Sequence, residues 1–337
     1  MKKIVNILNA KKVTTIPIRN ERYIKQFSDI NINNVVINKK NFYLIIKFLK
    51  IIKNVEIIHT HHTFSSLITS FFYIIFLFKK DKKYFVHTVH RNFNSFSIFN
   101  RALYLIFIFP FRDKLIANSF TTKKSLEAFI PKYLHLNITV ITNGVDLSLF
   151  ENSNKKAKNL NKIKILSIGR MVKIKNQKIL INTLKDLVDK NYDATIDFCG
   201  DGQEFNSLVR LVKDNDLEKY VNFHGMVSEE KVYKLLDECN FSVIPSFNEG
   251  FGVATIESMA SGTLTIGSNI DINKEIIKDE ELLFNPYDHQ QLSEKILKFF
   301  NNKKLYQLKV DFLLNLVEKY SSESTAKAHV LFYKNIY

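Results

Sequence analysis

Two carboxylates, Glu249 and Glu257, stand with seven residues between them inside Phe241–Gly262, FSVIPSFNEGFGVATIESMASG. An apolar run ending at Pro245 reads as a strand, a loop with Gly250 and Gly252 follows, and a helix is expected over about Val253 to Ala260. Glycine lets backbone approach a ligand closely. The free N–H groups and the dipole at a helix start attract phosphate or other electron-rich oxygens, and open parallel sheets bind ligands at this carboxyl edge. Glu249, on the loop, is free to meet a ligand. Glu257 is expected on the inward side of the helix with Val253, Ile256 and Ala260. An ionised carboxylate facing inward is costly unless it is hydrogen-bonded, and the two hydroxyls of a ribose suit it, since a carboxylate accepts from both at once.

A second constellation follows the apolar run Ile163–Ile168, in Gly169-Arg170-Met171-Val172-Lys173-Ile174-Lys175-Asn176-Gln177. Arg170 and Lys175 lie beyond a strand end and just before a helix, where a diphosphate clamp is expected. Arginine offers a planar fork of donors and lysine a mobile point charge, and together they neutralise charge on a departing diphosphate. In the first half His59, His61 and His62 follow one strand-like run, and His87 and His90 flank the end of another. Several imidazoles therefore gather at one sheet edge. A metal trio is open by composition, but the fold context of parallel strands ending in these histidines speaks against it, so no metal site is expected; His59 and His87 are expected to serve strand packing.

These residues need parallel sheets to hold them. Strand-length apolar runs alternate with helical patterns: Lys3–Leu8, Asn34–Ile37, Val55–His59, Tyr84–Val89, Lys114–Ala117 and Ile138–Ile141, then Ile163–Ile168, Thr195–Cys199, Val221–His224, Phe241–Ile244 and Leu264–Ile266. The polar stretch Glu151–Leu160 reads as a linker. Ser321–Tyr337 reads as a helix with the stripe Ala326, Val330, Tyr333 and Tyr337. The expected domains are 1–150, joined by the returning helix 321–337, and 151–320, a division that suits 337 residues. No short repeat or heptad run is evident.

Charge is uneven. Residues 1–150 hold 23 Lys/Arg against 7 Asp/Glu, whereas residues 151–337 hold 26 of each. The basic half implies an anionic partner, either a membrane surface, nucleic acid or a phosphorylated substrate, or else a compositional habit. The same half carries 18 of the 29 phenylalanines, and its most apolar run, Ile68–Phe78, leads into Lys79–Lys83. That run fits a helix resting on an anionic bilayer, or a buried helix with a basic end; it is too short to span. No nucleic-acid module is present, so nucleic acid is not expected as a partner. Two cysteines and the lack of a signal-peptide pattern at the N-terminus point to the cytoplasm.

The order of these motifs resembles the retaining glycosyltransferases of family four. The resemblance rests on Gly169-Arg170 with Lys175, FCGDGQE (Phe198–Glu204), FHG (Phe223–Gly225), Glu249 and Glu257, DINKEII (Asp271–Ile277) and LLFNPYD (Leu282–Asp288). Upstream, IANS (Ile116–Ser119) and ITNGVDLSLF (Ile141–Phe150) look like the last N-terminal-domain strands and the turn that follows. The resemblance implies a GT-B fold, two facing Rossmann-like parallel-sheet domains with a cleft between them. It implies that Arg170 and Lys175 contact the donor diphosphate and that Glu257 takes the ribose. Glu249, with the backbone of Gly250, Phe251 and Gly252, would hold the transferred sugar, and Gly225, Met226 and Val227 would lie against the base. His90 occupies the position of an active-site histidine, and His61 is a candidate contact to acceptor or donor.

The activity so implied is transfer of a hexose or N-acetylhexosamine, with retention, from a nucleotide-diphosphate sugar to a glycan or lipid-linked acceptor. The donor is a co-substrate, and no metal or other cofactor is required. A bacterial surface polysaccharide or lipopolysaccharide is the expected product, made in the cytoplasm or at the inner face of the cell membrane. Two other readings stay open: a nucleotide-sugar epimerase of the same fold, and a catalytically silent binding subunit. The latter is suggested by Asn9–Arg19, which contains no glycine where the family has a glycine-rich loop.

Overall fold

The computed structural model describes residues 57–61, 63, 66, 67, 69, 70, 84–130, 132, 138–151 and 158–336, with the backbone of two short strands at 13–15 and 32–34. The expected strand Lys3–Leu8, the apolar run Ile68–Phe78 for the most part, Lys79–Lys83, His62 and Tyr337 lie outside these residues. Two compact units are present, Met1–Asn143 with Ser322–Tyr337, and Gly144–Ser321.

In unit 1, β1 (Val13–Thr15) and β2 (Ile32–Asn34) pair in parallel. β1 falls within the segment expected to be a loop, where the β-branched run Val-Thr-Thr favours extended backbone. The main sheet is parallel, in the order β3 (Ile57–Thr60), β4 (Tyr84–Val89), β5 (Lys114–Ala117) and β6 (Ile138–Val140). One side of it packs on Phe93, Tyr104, Ile108 and Phe109, contributed by the helical turns on either side of α1 (Ile98–Leu103), which itself buries no residue. α2 (Phe120–Glu127) starts where the Ser119 hydroxyl accepts from the Thr122 N–H.

Unit 2 is a six-stranded parallel sheet. Its strands are β7 (Ile163–Ile168), β8 (Ala194–Cys199), β9 (Val221–Gly225), β10 (Phe241–Ile244), β11 (Leu264–Ser268) and β12 (Leu283–Phe284). Across the sheet they run β12-β11-β10-β7-β8-β9. Parallel strands need crossovers, and the helices supply them: α3 (Lys178–Asp189), α4 (Phe205–Asp214), α5 (Glu229–Glu238), α6 (Val253–Ala260) and α7 (Asp271–Ile277). α8 (His289–Phe300) and α9 (Lys303–Val317) complete the cover. β10 and β11 are buried along their whole lengths, as central strands covered on both faces must be. Within the expected linker, Lys158 donates from Nζ to the carbonyls of Leu236 and Asp237 at the end of α5, so this part is fastened to unit 2.

The chain then returns to unit 1 as α10 (Ser322–Lys334). The residues that pack on the unit 1 sheet differ from the expected stripe except at Tyr333: Phe332 and Ile336 bury against Val86, Ile116 and Ile141, with Ala328 and Tyr333 alongside, while Ala326 and Val330 of the stripe are also buried. Among the described residues no helix is long and apolar enough to cross a membrane.

Candidate functional site

β7 and β10 are neighbours from which the chain proceeds to opposite sides of the unit 2 sheet. Their carboxyl ends form its topological switch point, the place where parallel sheets open a crevice. The loop after β7 takes its shape from the loop after β8. Gly169 N–H donates to Cys199 O at 2.8 Å, Met171 N–H to Asp201 O at 2.9 Å and Glu204 N–H to Met171 O at 2.9 Å. A Cβ at Gly200 would stand 2.0 Å from the Gly169 oxygen, and one at Gly202 2.3 Å from the Met171 oxygen. Only glycine permits this approach. Arg170 is thereby presented at the strand end, exposed, its guanidinium without a side-chain partner among the described residues.

The loop closes through Asn176, in the left-handed region at φ 53°. Its Nδ2 donates to the carbonyls of Pro245 at 3.2 Å and Pro286 at 2.8 Å, and Gln177 Nε2 donates to the Arg170 carbonyl. Lys175 folds back over Gly169 and donates from Nζ to Glu249 Oε1 at 2.5 Å. Ser246 Oγ donates to the same oxygen at 2.6 Å. The two charged side chains retain only 22% and 11% of their exposure. The sequence assigns Lys175 and Glu249 to different parts of a ligand, but the structure joins them as one ion pair. Glu249 Oε2 has no partner among the described residues.

Gly252, at φ 78°, opens α6, and its carbonyl accepts the first helical bonds from Thr255 and Ile256. The Phe251 side chain is buried edge-on against Tyr320, which leaves its backbone, with that of Gly250, on the loop. The inward side of α6 differs from expectation at Val253, which is 43% exposed. Small residues set the rotation of this helix: Ser258 Oγ meets Ser242 Oγ of β10 at 2.7 Å, and Ile256, Met259 and Ala260 bury beside it. Glu257 therefore lies half-buried at the edge of the packed face, with no hydrogen bond or ion pair to its carboxylate among the described residues. Burial, and then the nearby Glu229 carboxylate, push its pKa up to about 7. Gly225, at φ 64°, has open space where a Cβ would stand, Met226 is exposed and Val227 packs on the core.

In unit 1, His61 Nδ1 and His90 Nε2 lie 3.0 Å apart with rings stacked, and Asn118 Nδ2 donates to the His90 carbonyl. His59 stacks on His61 with centroids 4.3 Å apart. Its ring nitrogens meet the Tyr333 hydroxyl at 2.6 Å and Thr88 Oγ1 at 2.7 Å. His87 is fully buried, its Nδ1 between Ser66 Oγ at 2.6 Å and Thr60 Oγ1 at 2.9 Å. Burial above all holds the pKa of His59 and His87 well below the ordinary imidazole value, with neighbouring positive groups adding to it: His61 first for His59, Arg112 first for His87. Among the described residues no three His, Cys, Asp or Glu side chains converge as a metal ion requires.

Several of these contributors escaped the sequence reading. Ser246 and Glu229 carry no motif of their own. Asn176 had a signal, since asparagine directly after a helical turn tolerates left-handed backbone. So did His329 and Tyr333, four apart on the expected last helix, which bring a further imidazole and the His59 partner to the histidines.

Two family models match the chain. One described as "Glycosyltransferase Family 4" covers residues 16–149, and one described as "Glycosyl transferases group 1" covers residues 150–309. An uncharacterized glycosyltransferase of Methanocaldococcus jannaschii is 30% identical over 195 residues, 57% of this chain and 51% of that protein. The O-antigen chain mannosyltransferase RfbU of Salmonella typhimurium is 29% identical over 252 residues, 70% of this chain and 69% of that protein. The chain spans about half, or less, of the length of the first curated relatives it matches. Among solved structures, Anabaena HepE in complex with UDP and glucose superposes with a TM-score of 0.85 at 16% identity, covering 99% of this chain and 94% of that one. At that identity the likeness establishes the fold, two parallel-sheet α/β domains of GT-B type.

Proposed function

We propose that this chain, which belongs to glycosyltransferase family 4, transfers a hexose or N-acetylhexosamine from a nucleoside-diphosphate sugar to an acceptor hydroxyl, with retention. The observation that carries the reading is the grouping of Arg170, the Lys175–Glu249 pair and the glycine-walled loops at the β7/β10 switch point. Arg170 and Lys175 take the diphosphate. Glu249 Oε1 already accepts two hydrogen bonds, which fixes the carboxylate and weakens it as a nucleophile, while Oε2 is placed to accept from a sugar hydroxyl. Glu257 takes the ribose hydroxyls, Gly225 to Val227 take the base, and His90 and His61 act on the reacting sugars.

The bond between the anomeric carbon and the phosphate oxygen breaks as the acceptor oxygen bonds the same face of that carbon. The acceptor proton passes to the departing phosphate oxygen, and nucleoside diphosphate leaves carrying the negative charge that Arg170 and Lys175 stabilise. A fixed carboxylate at Glu249 favours this course over a covalent glycosyl-enzyme. No metal enters the scheme, because the basic pair neutralises the leaving group.

The mannosyltransferase and O-antigen relatives support a surface polysaccharide or lipopolysaccharide product, made at the cytoplasmic face. Contact with an anionic bilayer through unit 1 is supported by Ile98, Phe99, Ile106 and Phe107, all exposed in the strongly basic half of the chain. Thermal stabilisation by UDP-, GDP- and ADP-sugars, followed by incubation of the stabilising donor with and without acceptor extract, tests the reading. Transfer to extract supports it. An epimerised sugar formed without acceptor, or donor binding with neither hydrolysis nor transfer, would overturn it.

A further inference from the structure

The surface beside the charged pair carries an aromatic shelf to which the donor roles proposed above assign nothing. Phe247, two residues before Glu249, stacks on Tyr287 with centroids 5.0 Å apart and planes at 30°. Phe247 is 36% exposed, Tyr287 79% and Ile174, the neighbour of Lys175, 42%. Apolar groups left in water at three neighbouring places ask for an explanation, and these are held rigidly. Phe247 N–H donates to Ile174 O at 2.8 Å, Asn176 ties Pro245 to Pro286, and Tyr287 N–H donates to Asn285 Oδ1 at 3.1 Å. Three loops are thus bonded into one ledge continuous with Lys175 and Glu249.

We propose that Phe247 and Tyr287 form a subsite for a sugar unit of the acceptor glycan. The inference rests on the glycosyltransferase reading and names the class of the second substrate. The face of an aromatic ring is electron-rich, and a pyranose offers a face of C–H groups carrying slight positive charge, with hydroxyls around its rim. Stacking removes the C–H face from water and leaves the hydroxyls solvated. The surroundings suit a sugar better than a lipid chain, because Asn248, Asn285 and Asp288 stand beside the rings in sequence. The ledge extends from the Glu249 loop, so a sugar stacked there lies next to the proposed donor-sugar position.

The test uses the full chain with UDP, in saturation-transfer NMR with α-linked mannotriose and maltotriose as probes. Transfer from aromatic protons to the C–H protons of at least one trisaccharide is expected in the wild type. Tyr287→Ser and Phe247→Ala should weaken that binding roughly tenfold, whereas Tyr287→Phe, which keeps the ring, should retain it. The same variants should bind UDP as the wild type does in calorimetry. Equal trisaccharide binding in wild type and Tyr287→Ser, or no binding of either probe to the wild type, would overturn the subsite. So would loss of binding to phosphatidylglycerol vesicles in Tyr287→Ser with trisaccharide binding unchanged, which would mark the shelf as a bilayer contact. Failure of UDP, GDP and ADP all to bind the wild type would instead remove the glycosyltransferase reading itself. Because Tyr287 is so exposed, Tyr287→Ser keeps the test valid even if Phe247→Ala fails to fold.

Discussion

The carboxyl ends of the two parallel sheets are furnished in opposite ways. In unit 2 the chemistry sits on loops: Arg170 is held by backbone hydrogen bonds that only Gly200 and Gly202 allow, and Lys175 and Glu249 are held as an ion pair that Ser246 also bonds. In unit 1 the corresponding edge carries imidazoles on or just past the strands, and the deepest of them, His59 and His87, are tied to hydroxyls. Loops of close-packed backbone can present fixed charge to a polyanion without reorganising when it departs. Strand-borne rings kept uncharged by burial hold geometry instead. Fixed charge on loops and uncharged rings on strands thus call for different construction, although both sheets use the same parallel frame.

The sharpest way to break this contrast is to remove one group from each side. We predict that Lys175→Ala lowers kcat/KM by about 10²–10³, since the charge on the leaving group loses its partner and Glu249 is left part-buried and unpaired. His90→Ala should cost about tenfold less in steady-state assays. Equal losses would mean that the charge is not handled mainly in unit 2. Next in size, Gly200→Ala should destabilise the protein by about 3 kcal/mol in urea unfolding, because the new Cβ meets the Gly169 oxygen and the backbone lies at φ 136°. A change below about 1 kcal/mol would show that the two loops separate easily and do not fix Arg170.

How legible each side was follows from the same difference. Strands Tyr84–Val89, Lys114–Ala117, Ile163–Ile168 and Phe241–Ile244, and helix Val253–Ala260, stand at the expected bounds, because buried apolar runs and glycine punctuation are local signals. The two-residue strand β12 escaped, being too short for any period to mark it. Val253 turned outward because the rotation of α6 depends on a hydroxyl pair contributed by two elements. The joining of Lys175 to Glu249 was hidden for the same reason: 74 positions separate them, and their meeting depends on strand order. What one segment decides can be read from the sequence, and what two segments decide together cannot.

Acid should separate the units thermodynamically. His59 and His87 have folded pKa values well below 6.5, so between that value and their folded values the unfolded chain binds more protons, and stability falls as pH drops. Both therefore make the fold less stable at pH 5.5 than at neutral pH. Hydrogen exchange at pH 7.5 and 5.5, after correction for intrinsic rates, should show lost protection in β4 and α10, where Thr88 and Tyr333 meet His59. Protection lost first in β7 and β10 would refute the assignment of the acid-sensitive groups to unit 1.

Glu257 should respond in the opposite sense, and here the effect falls on binding. Its pKa of about 7 exceeds the free value of 4.5, so the folded protein holds a proton that the unfolded chain releases, and acid favours the fold while removing the acceptor a ribose needs. Ionised Glu257 falls from about nine-tenths of molecules at pH 8 to about one-tenth at pH 6. UDP affinity measured by calorimetry should therefore weaken roughly tenfold over that interval, once the titration of UDP itself is subtracted with a Glu257→Gln control. That variant should bind weakly at both pH values and should gain on the order of 1 kcal/mol of stability at pH 8, where it relieves a half-buried charge. Glu229→Gln removes the second cause of the raised pKa, so its affinity profile should move to lower pH. If Glu257→Gln instead kept the wild-type slope, the titrating group would lie elsewhere, and the assignment of Glu257 to the ribose would lose its support.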